Sequence, residues 1–346
     1  GSLSLVEEVI EWVVDAGLLP WAQAVTSIKH LLRYSEKIPE EAQDKFHRML
    51  ASLEPSDLLG RIRTHVVVSA FGGYEPDDDG GLKNTASELT IKIADEVLES
   101  DSLDDSVREL VQKDNPKNAF AFGRQIGEKI ADPEAEVDAA LQVLRTIPQD
   151  ERDPGYIQGL LVAARDVHNL DSQRYLMELL DDEELYHLVP RLLGVLQGTN
   201  DIFAGLLHRI KEGEMSYADM ARLRYGSFRG TPSDLSGFLL DLADESPEFT
   251  ALAVGAAWTY ARRDDEDEFE QVVLKVVQDK DFAKEEFLKA IDSYALEQVC
   301  ILAAKRSEEL AAKVAEDAIA ILSLDYQTRG ANHFFDATMA AILKKW

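Results

Sequence analysis

The chain has 346 residues, with 36 basic and 65 acidic side chains, a formal net charge of −29, 45% hydrophobic residues and a single cysteine. That charge excludes a general binder of nucleic acid or of anionic membranes, whose electrostatic footprint is basic. The apolar content excludes a disordered chain, and one cysteine excludes a disulfide framework or a cysteine-based zinc site and suits a reducing cytoplasm.

At this length the chain forms about two domains or one extended repeat array, with enough core to need no disulfide or metal staple. Gly1-Ser2 has the character of a cloning scar, and a helical pattern of Val6, Ile10, Val13 and Val14 follows directly, so a piece of a longer protein is expected. Residues 3–110 read as an N-terminal helical layer. Within it, Arg61–Phe71 is β-branched at its centre; it is read as a helix, because a lone strand there lacks a partner. Residues 72–83 read as an acidic, glycine-rich loop.

Residues 111–346 read as a HEAT-like helical repeat array continuous with that layer. An i, i+3, i+4, i+7 apolar spacing recurs in Val137/Ala140/Leu141/Leu144, Ile157/Leu160/Leu161/Ala164 and Val189/Leu192/Leu193/Leu196. It returns in Phe203/Leu206/Leu207/Ile210, Leu235/Phe238/Leu239/Leu242 and Phe269/Val272/Val273/Val276. Each set lines one face of a helix. Asp132-Pro133, Thr231-Pro232 and Ser246-Pro247 place a capping oxygen before a proline at the first helical position, and Ser216 with Asp219 has capping-box spacing. The breaks at Asp153-Pro154-Gly155 and Gly198-Thr199-Asn200 keep the helices short, roughly 10–15 residues. Short amphipathic helices in succession bury their faces by stacking. The expected fold is therefore all-α, an α-solenoid of short HEAT-like helix pairs. Gly123, Gly159, Gly194 and Gly237 recur at separations of 36, 35 and 43, within the range of about 34–47 for helical-pair repeats. Close helix approach is expected at Gly159 and Gly194. The uncharged stretch Phe249–Ala261 suits a buried helix and is shorter than the roughly 20 residues of a membrane span.

Chemistry-bearing motifs are incomplete. Glu75, Asp77, Asp79 and Gly80 match the opening of a calcium loop, but Ala86 stands where the bidentate glutamate belongs. Gly123-Arg-Gln-Ile-Gly127-Glu-Lys129 has the wrong spacing for a phosphate loop and puts both glycines on one helix face instead. Cys300 and Arg306 have the spacing of a cysteine phosphatase loop, but the residues between are helix formers without glycine. Glu184-Leu-Tyr-His187 has no second copy to build a di-iron site, and no Gly-x-Ser-x-Gly elbow is present. No catalytic residue, cofactor or metal is predicted.

One stretch runs against the general charge. From His208 to Gly230 the bases are Arg209, Lys211, Arg222, Arg224 and Arg229, against Glu212, Glu214 and Asp219. Arg222, Arg224 and Arg229 interleave with Tyr225 and Phe228. Arginine with aromatics is the composition of interface hot spots and of base stacking, so these five are the candidate interaction residues. The alternative is that the arginines pair with acids of neighbouring helices.

Asn118-Ala-Phe-Ala-Phe-Gly-Arg-Gln125, the following Asp132-Pro133, and Arg222-Leu-Arg-Tyr-Gly226 leading to Leu235-Ser-Gly-Phe-Leu-Leu240 resemble the C-terminal helical arrays of large bacterial antiphage NTPases of the signal-transduction type. The resemblance covers roughly residues 55–345, and its motifs mostly encode helix packing. It implies a sensor that recognises a foreign component and controls an upstream enzymatic domain; no catalytic residues carry over. The function expected is a non-catalytic protein-interaction or sensor module of a larger bacterial protein in the cytoplasm, with a protein partner or an upstream domain of its own chain. The rivals are an all-α enzyme with acids such as Asp264 or Glu184 in a cleft, and an RNA-contacting helical array.

Overall fold

All six apolar sets are buried; five of them are each the inward face of one helix, whereas in the set from Val189 only Val189–Leu192 is helical and Leu193 and Leu196 lie in the turn that follows. The caps act as expected. Asp132 Oδ1 accepts from Ala135 N–H (3.0 Å), Thr231 Oγ1 from Asp234 N–H (3.2 Å) and Ser246 Oγ from Phe249 N–H (3.3 Å), and Ser216 and Asp219 form a reciprocal capping box. The computed structural model describes residues 8–10, 22–34, 38–68, 74–76, 82–100, 103–112, 118–264, 267–323 and 331–345. Over these residues the protein is all-α apart from one pair of three-residue strands. It divides into two compact units, residues 1–172 and 173–346.

The first unit contains α1 (Ala22–Tyr34), α2 (Glu40–Leu53), α3 (Leu58–Arg61), a π-helix (Ile62–Val68), β1 (Tyr74–Pro76), β2 (Leu82–Asn84), α4 (Thr85–Ser100), α5 (Leu103–Val111), α6 (Ala119–Lys129), α7 (Pro133–Arg145) and α8 (Gly155–His168). Val25 and Ile28 of α1 pack with Met49 and Leu53 of α2. At the two ends of the expected loop at 72–83, Tyr74–Pro76 and Leu82–Asn84 pair as antiparallel strands, Tyr74 opposite Asn84 and Pro76 opposite Leu82. The calcium candidates Asp77, Asp79 and Gly80 lie outside the described residues. The expected division at residue 110 falls inside this unit, where α5 packs on α7 and Asp153 N–H donates to the Val111 carbonyl (2.8 Å).

The segment from Ile62 is helical through Val68, but its turns are π rather than α. Such turns release carbonyls from regular i→i+4 pairing, and Asn118 takes two of them. Its N–H donates to the Val66 carbonyl (3.0 Å) and its Nδ2 to that of His65 (2.9 Å). The His65 ring is buried, and its Nε2–H donates to Glu54 Oε1 (2.5 Å). Two further ion pairs tie this turn to its neighbours, Arg61–Glu96 (2.6 Å) and Arg63–Glu109 (2.5 Å).

Helices α6 and α8 meet through glycine. A Cβ on Gly123 would overlap the Tyr156 carbonyl oxygen, one on Gly127 would stand 2.9 Å from Ala163 Cβ, and one on Gly159 would stand 2.6 Å from Arg124 N. The expectation for Gly159 holds; that for Gly194 does not, since its nearest contact is Arg191 O (3.2 Å) in its own turn, and Gly237 has nothing within 4 Å. The 36, 35 and 43 separations therefore do not mark one repeated contact.

The second unit takes α9 (Ser172–Asp181, starting at the boundary), α10 (Val189–Leu192), α11 (Asn200–Lys211), α12 (Tyr217–Met220), a 3₁₀ turn (Ala221–Tyr225), α13 (Pro232–Leu242), α14 (Pro247–Asp264), α15 (Asp267–Asp279), α16 (Glu285–Ala290), α17 (Ser293–Arg306), α18 (Glu308–Ser323) and α19 (Ala331–Lys345). From α13 onward each helix packs mainly on those one or two places along the chain. Stacked aromatic pairs, Phe203–Phe238 and Tyr260–Phe269, both at 4.9 Å, join α11 to α13 and α14 to α15.

Candidate functional site

The arginine–aromatic stretch is built on the 3₁₀ turn. The capping box at Ser216 starts α12, and Met220 and Leu223 plug its inner side. Three residues per 3₁₀ turn bring positions i and i+3 to one edge, so Arg222 and Tyr225 share the outer edge, and both are exposed. Gly226 then turns the chain with φ +60° and lies so close to α14 that a Cβ would stand 3.0 Å from Thr259 Cγ2. Two side chains of α14 hold the turn's end. Thr259 Oγ1 donates to the Arg224 carbonyl (3.2 Å), and Arg263 Nη1 to the Gly226 carbonyl (2.6 Å).

Arg224 faces the other way. Its Nη2 donates to the Ala290 carbonyl (2.6 Å), the last residue of α16, and to the Tyr217 hydroxyl, and its guanidinium lies 5.8 Å from the Tyr217 ring centre. Tyr217 OH donates to the same carbonyl (3.0 Å). A cation at a helix C-terminus satisfies an orphan carbonyl and the helix dipole together. Arg209 does the same for α9. It is buried, its Nε and Nη2 donate to the Leu180 carbonyl (3.0 and 2.7 Å), and Glu214 at 2.5 Å holds its charge and raises its pKa.

The five candidates therefore separate. Arg222, Tyr225 and Arg229 are exposed, Tyr225 at 73%. Phe228 is corrected to a core residue, 1% exposed, with its carbonyl accepting from Tyr260 OH (2.8 Å). Arg224 is corrected to a partly buried anchor, and the partner it finds is a helix end rather than an acid. Arg229 is fixed through its backbone, donating to the Leu193 carbonyl (2.9 Å) and accepting from Gly198 N–H (2.7 Å).

A second aromatic cluster lies on the same α14. Trp258 meets Tyr294 of α17 edge to face (5.6 Å, 81°), and the Arg262 guanidinium lies 5.7 Å from the Trp258 ring centre. Tyr294 is 52% exposed. Sequence reasoning missed it because Trp258 sits in an uncharged stretch that reads as wholly buried. The i, i+4 spacing of Trp258 and Arg262 was the available signal.

The phosphate-loop and cysteine-phosphatase look-alikes both lie in α-helix. Cys300 is buried in α17, and desolvation pushes its thiol pKa far up, the opposite of an activated thiolate. Gly123 to Lys129 is continuous α-helix. Among the described residues no group of three or more His, Cys, Asp or Glu is placed to hold a metal, and no helix is long and apolar enough to cross a membrane. A cleft of about 210 Å³ between the start of α14 and the α15–α16 link includes Lys280, Thr250 and Ser246. There Lys280 is paired with Asp244 (2.5 Å), and Thr250 donates to the Ala243 carbonyl (2.8 Å).

No protein-family model matches the chain, and no curated protein or solved structure matches it.

Proposed function

We propose that the chain is a non-catalytic protein-interaction or sensor module built as a HEAT-like helical array, working in the bacterial cytoplasm within a larger, antiphage-type signalling protein. The observation that carries the interaction reading is Tyr225, a large aromatic side chain 73% exposed on a turn whose backbone is held by Thr259, Arg263 and Arg224. An exposed aromatic on a fixed backbone is ready to bury area at little entropic cost. The array reading is supported by the packing of successive helices in the second unit on their near neighbours in the chain. The sensor role and the larger signalling protein rest on the resemblance of Asn118–Gln125 and Arg222–Leu240.

The test is site-specific photocrosslinking in cells, with the crosslinking amino acid at position 225 and, as a collision control, at Ile319, which is also exposed. Discrete adducts at 225 that are missing at 319 are expected. Identical patterns at the two positions would remove the contact site.

A further inference from the structure

Asp317 of α18 is 7% exposed, in a helix that packs on α15, α17 and α19. Both of its oxygens accept from one donor, Lys313 Nζ (2.7 and 2.6 Å), one turn earlier in the same helix. Among the described residues no group of another element donates to it, although an ionised carboxylate offers about four acceptor sites. The lysine precedes the acid, which is the weaker order for an i, i+4 pair. We infer that Asp317 is a proton-controlled joint: neutral, it lets α18 dock closely on its neighbours, and ionised, it loosens that docking.

A buried ion pair offsets the desolvation of its carboxylate only when further hydrogen bonds fill the remaining lone pairs, and Asp317 has Lys313 alone. The neighbouring elements add no positive charge. On α17 it faces Cys300, whose thiol burial keeps neutral. At the α15–α16 link it faces Asp281, and on its own helix Glu316 stands beside it. Burial pushes the Asp317 carboxyl above its ordinary value, and Asp281 and Glu316 push it the same way, against Lys313. Lys280, next to Asp281, is taken by Asp244 (2.5 Å). Glu270 of α15 is bound to Arg306 of α17, and the other described charged side chains of α15 and α19 are exposed.

The sign follows from the raised value. The stabilisation that the neutral form supplies is complete below the unfolded value of about 3.9 and is lost as pH rises through the higher folded value. Asp317→Asn holds the site neutral at every pH. It strands no buried cation, because Lys313 is already 29% exposed and its stem lets the ammonium turn to water. If the ion pair instead held α18 in place, the same substitution would weaken docking most at neutral pH.

Hydrogen exchange of the α18 backbone amides tests this in the full chain, as wild type, Asp317→Asn and Lys313→Gln, with intrinsic exchange rates divided out. Between about pH 4 and about pH 7, protection in Asp317→Asn relative to wild type should rise by at least about threefold. Lys313→Gln removes the opposing charge, so its protection relative to wild type should fall over the same range. A packing defect changes these ratios by one factor at every pH and does not imitate the slope, and either variant suffices if the other does not fold. A flat ratio, a slope of opposite sign, or an equal slope in α6 of the first unit would each overturn the inference.

Discussion

Gly123 and Gly159 face one another across the contact of α6 with α8. A Cβ on Gly159 would stand 3.0 Å from the Gly123 carbonyl carbon, and one on Gly123 would stand 3.0 Å from the carbonyl carbon of Tyr156. The two backbones touch with no side chain between them. Tyr156 is fully buried beside this contact, and its hydroxyl donates to Glu136 (2.8 Å).

Gly159→Ala should therefore cost about 1–3 kcal/mol through overpacking. Gly237→Ala, at an exposed helical position open to solvent, should gain about 0.5–1 kcal/mol from lower backbone freedom in the unfolded chain. Urea unfolding of both variants checks the contrast. A Gly159→Ala midpoint equal to wild type would show that the helices separate without cost.

Arg224→Ala should destabilise the second unit by about 1.5–3 kcal/mol, the worth of a charged hydrogen bond at a helix end. Tyr225→Ala should stay within about 0.5 kcal/mol of wild type, as exposed substitutions do. Thermal melts of the two variants separate anchor from surface, and the reverse order would refute the assignment.

The bond from His65 holds the Glu54 carboxyl below the ordinary carboxylate range. A depressed folded pKa means that its stabilisation is complete above the unfolded value of about 4.3 and is lost as pH falls through the lowered folded value. Glu54→Gln should be less stable than wild type at neutral pH and should converge with it in acid. Melting midpoints followed from neutral to strongly acidic pH read this directly, and parallel curves would show that the pair carries no linkage.

Cys300 is buried, and its thiol is held protonated by desolvation. Iodoacetamide should leave it unmodified in the native protein and alkylate it once the chain is unfolded in urea, as mass spectrometry would show. Rapid native labelling would place the thiol at the surface.

The features legible in the sequence are local ones. The capping oxygens of Asp132, Thr231 and Ser216 reach donors three residues away, so their geometry is written within one helical turn. Five of the six apolar faces follow from helical periodicity alone; in the set from Val189 the residues are buried, but the helix ends at Leu192. The candidate site was legible only in composition. Phe228 and Tyr225 are both aromatic residues among arginines, yet one is in the core and the other in solvent, because the turn at Gly226 reverses the chain between them. Arg224 finds its acceptor 66 residues away, and Trp258 meets Tyr294 across two helices. Nothing near either residue in the chain announces these partners.

The sequence by itself determined that this protein is helical, where many of its helices start, and which side of each is apolar, since those properties depend on residues within a few positions of one another. Only the tertiary structure decided which glycines let helices touch, which arginines cap a distant helix, and which aromatics remain outside. Each of those depends on the element that packs opposite, and close packing leaves Gly159 no room while leaving Gly237 open.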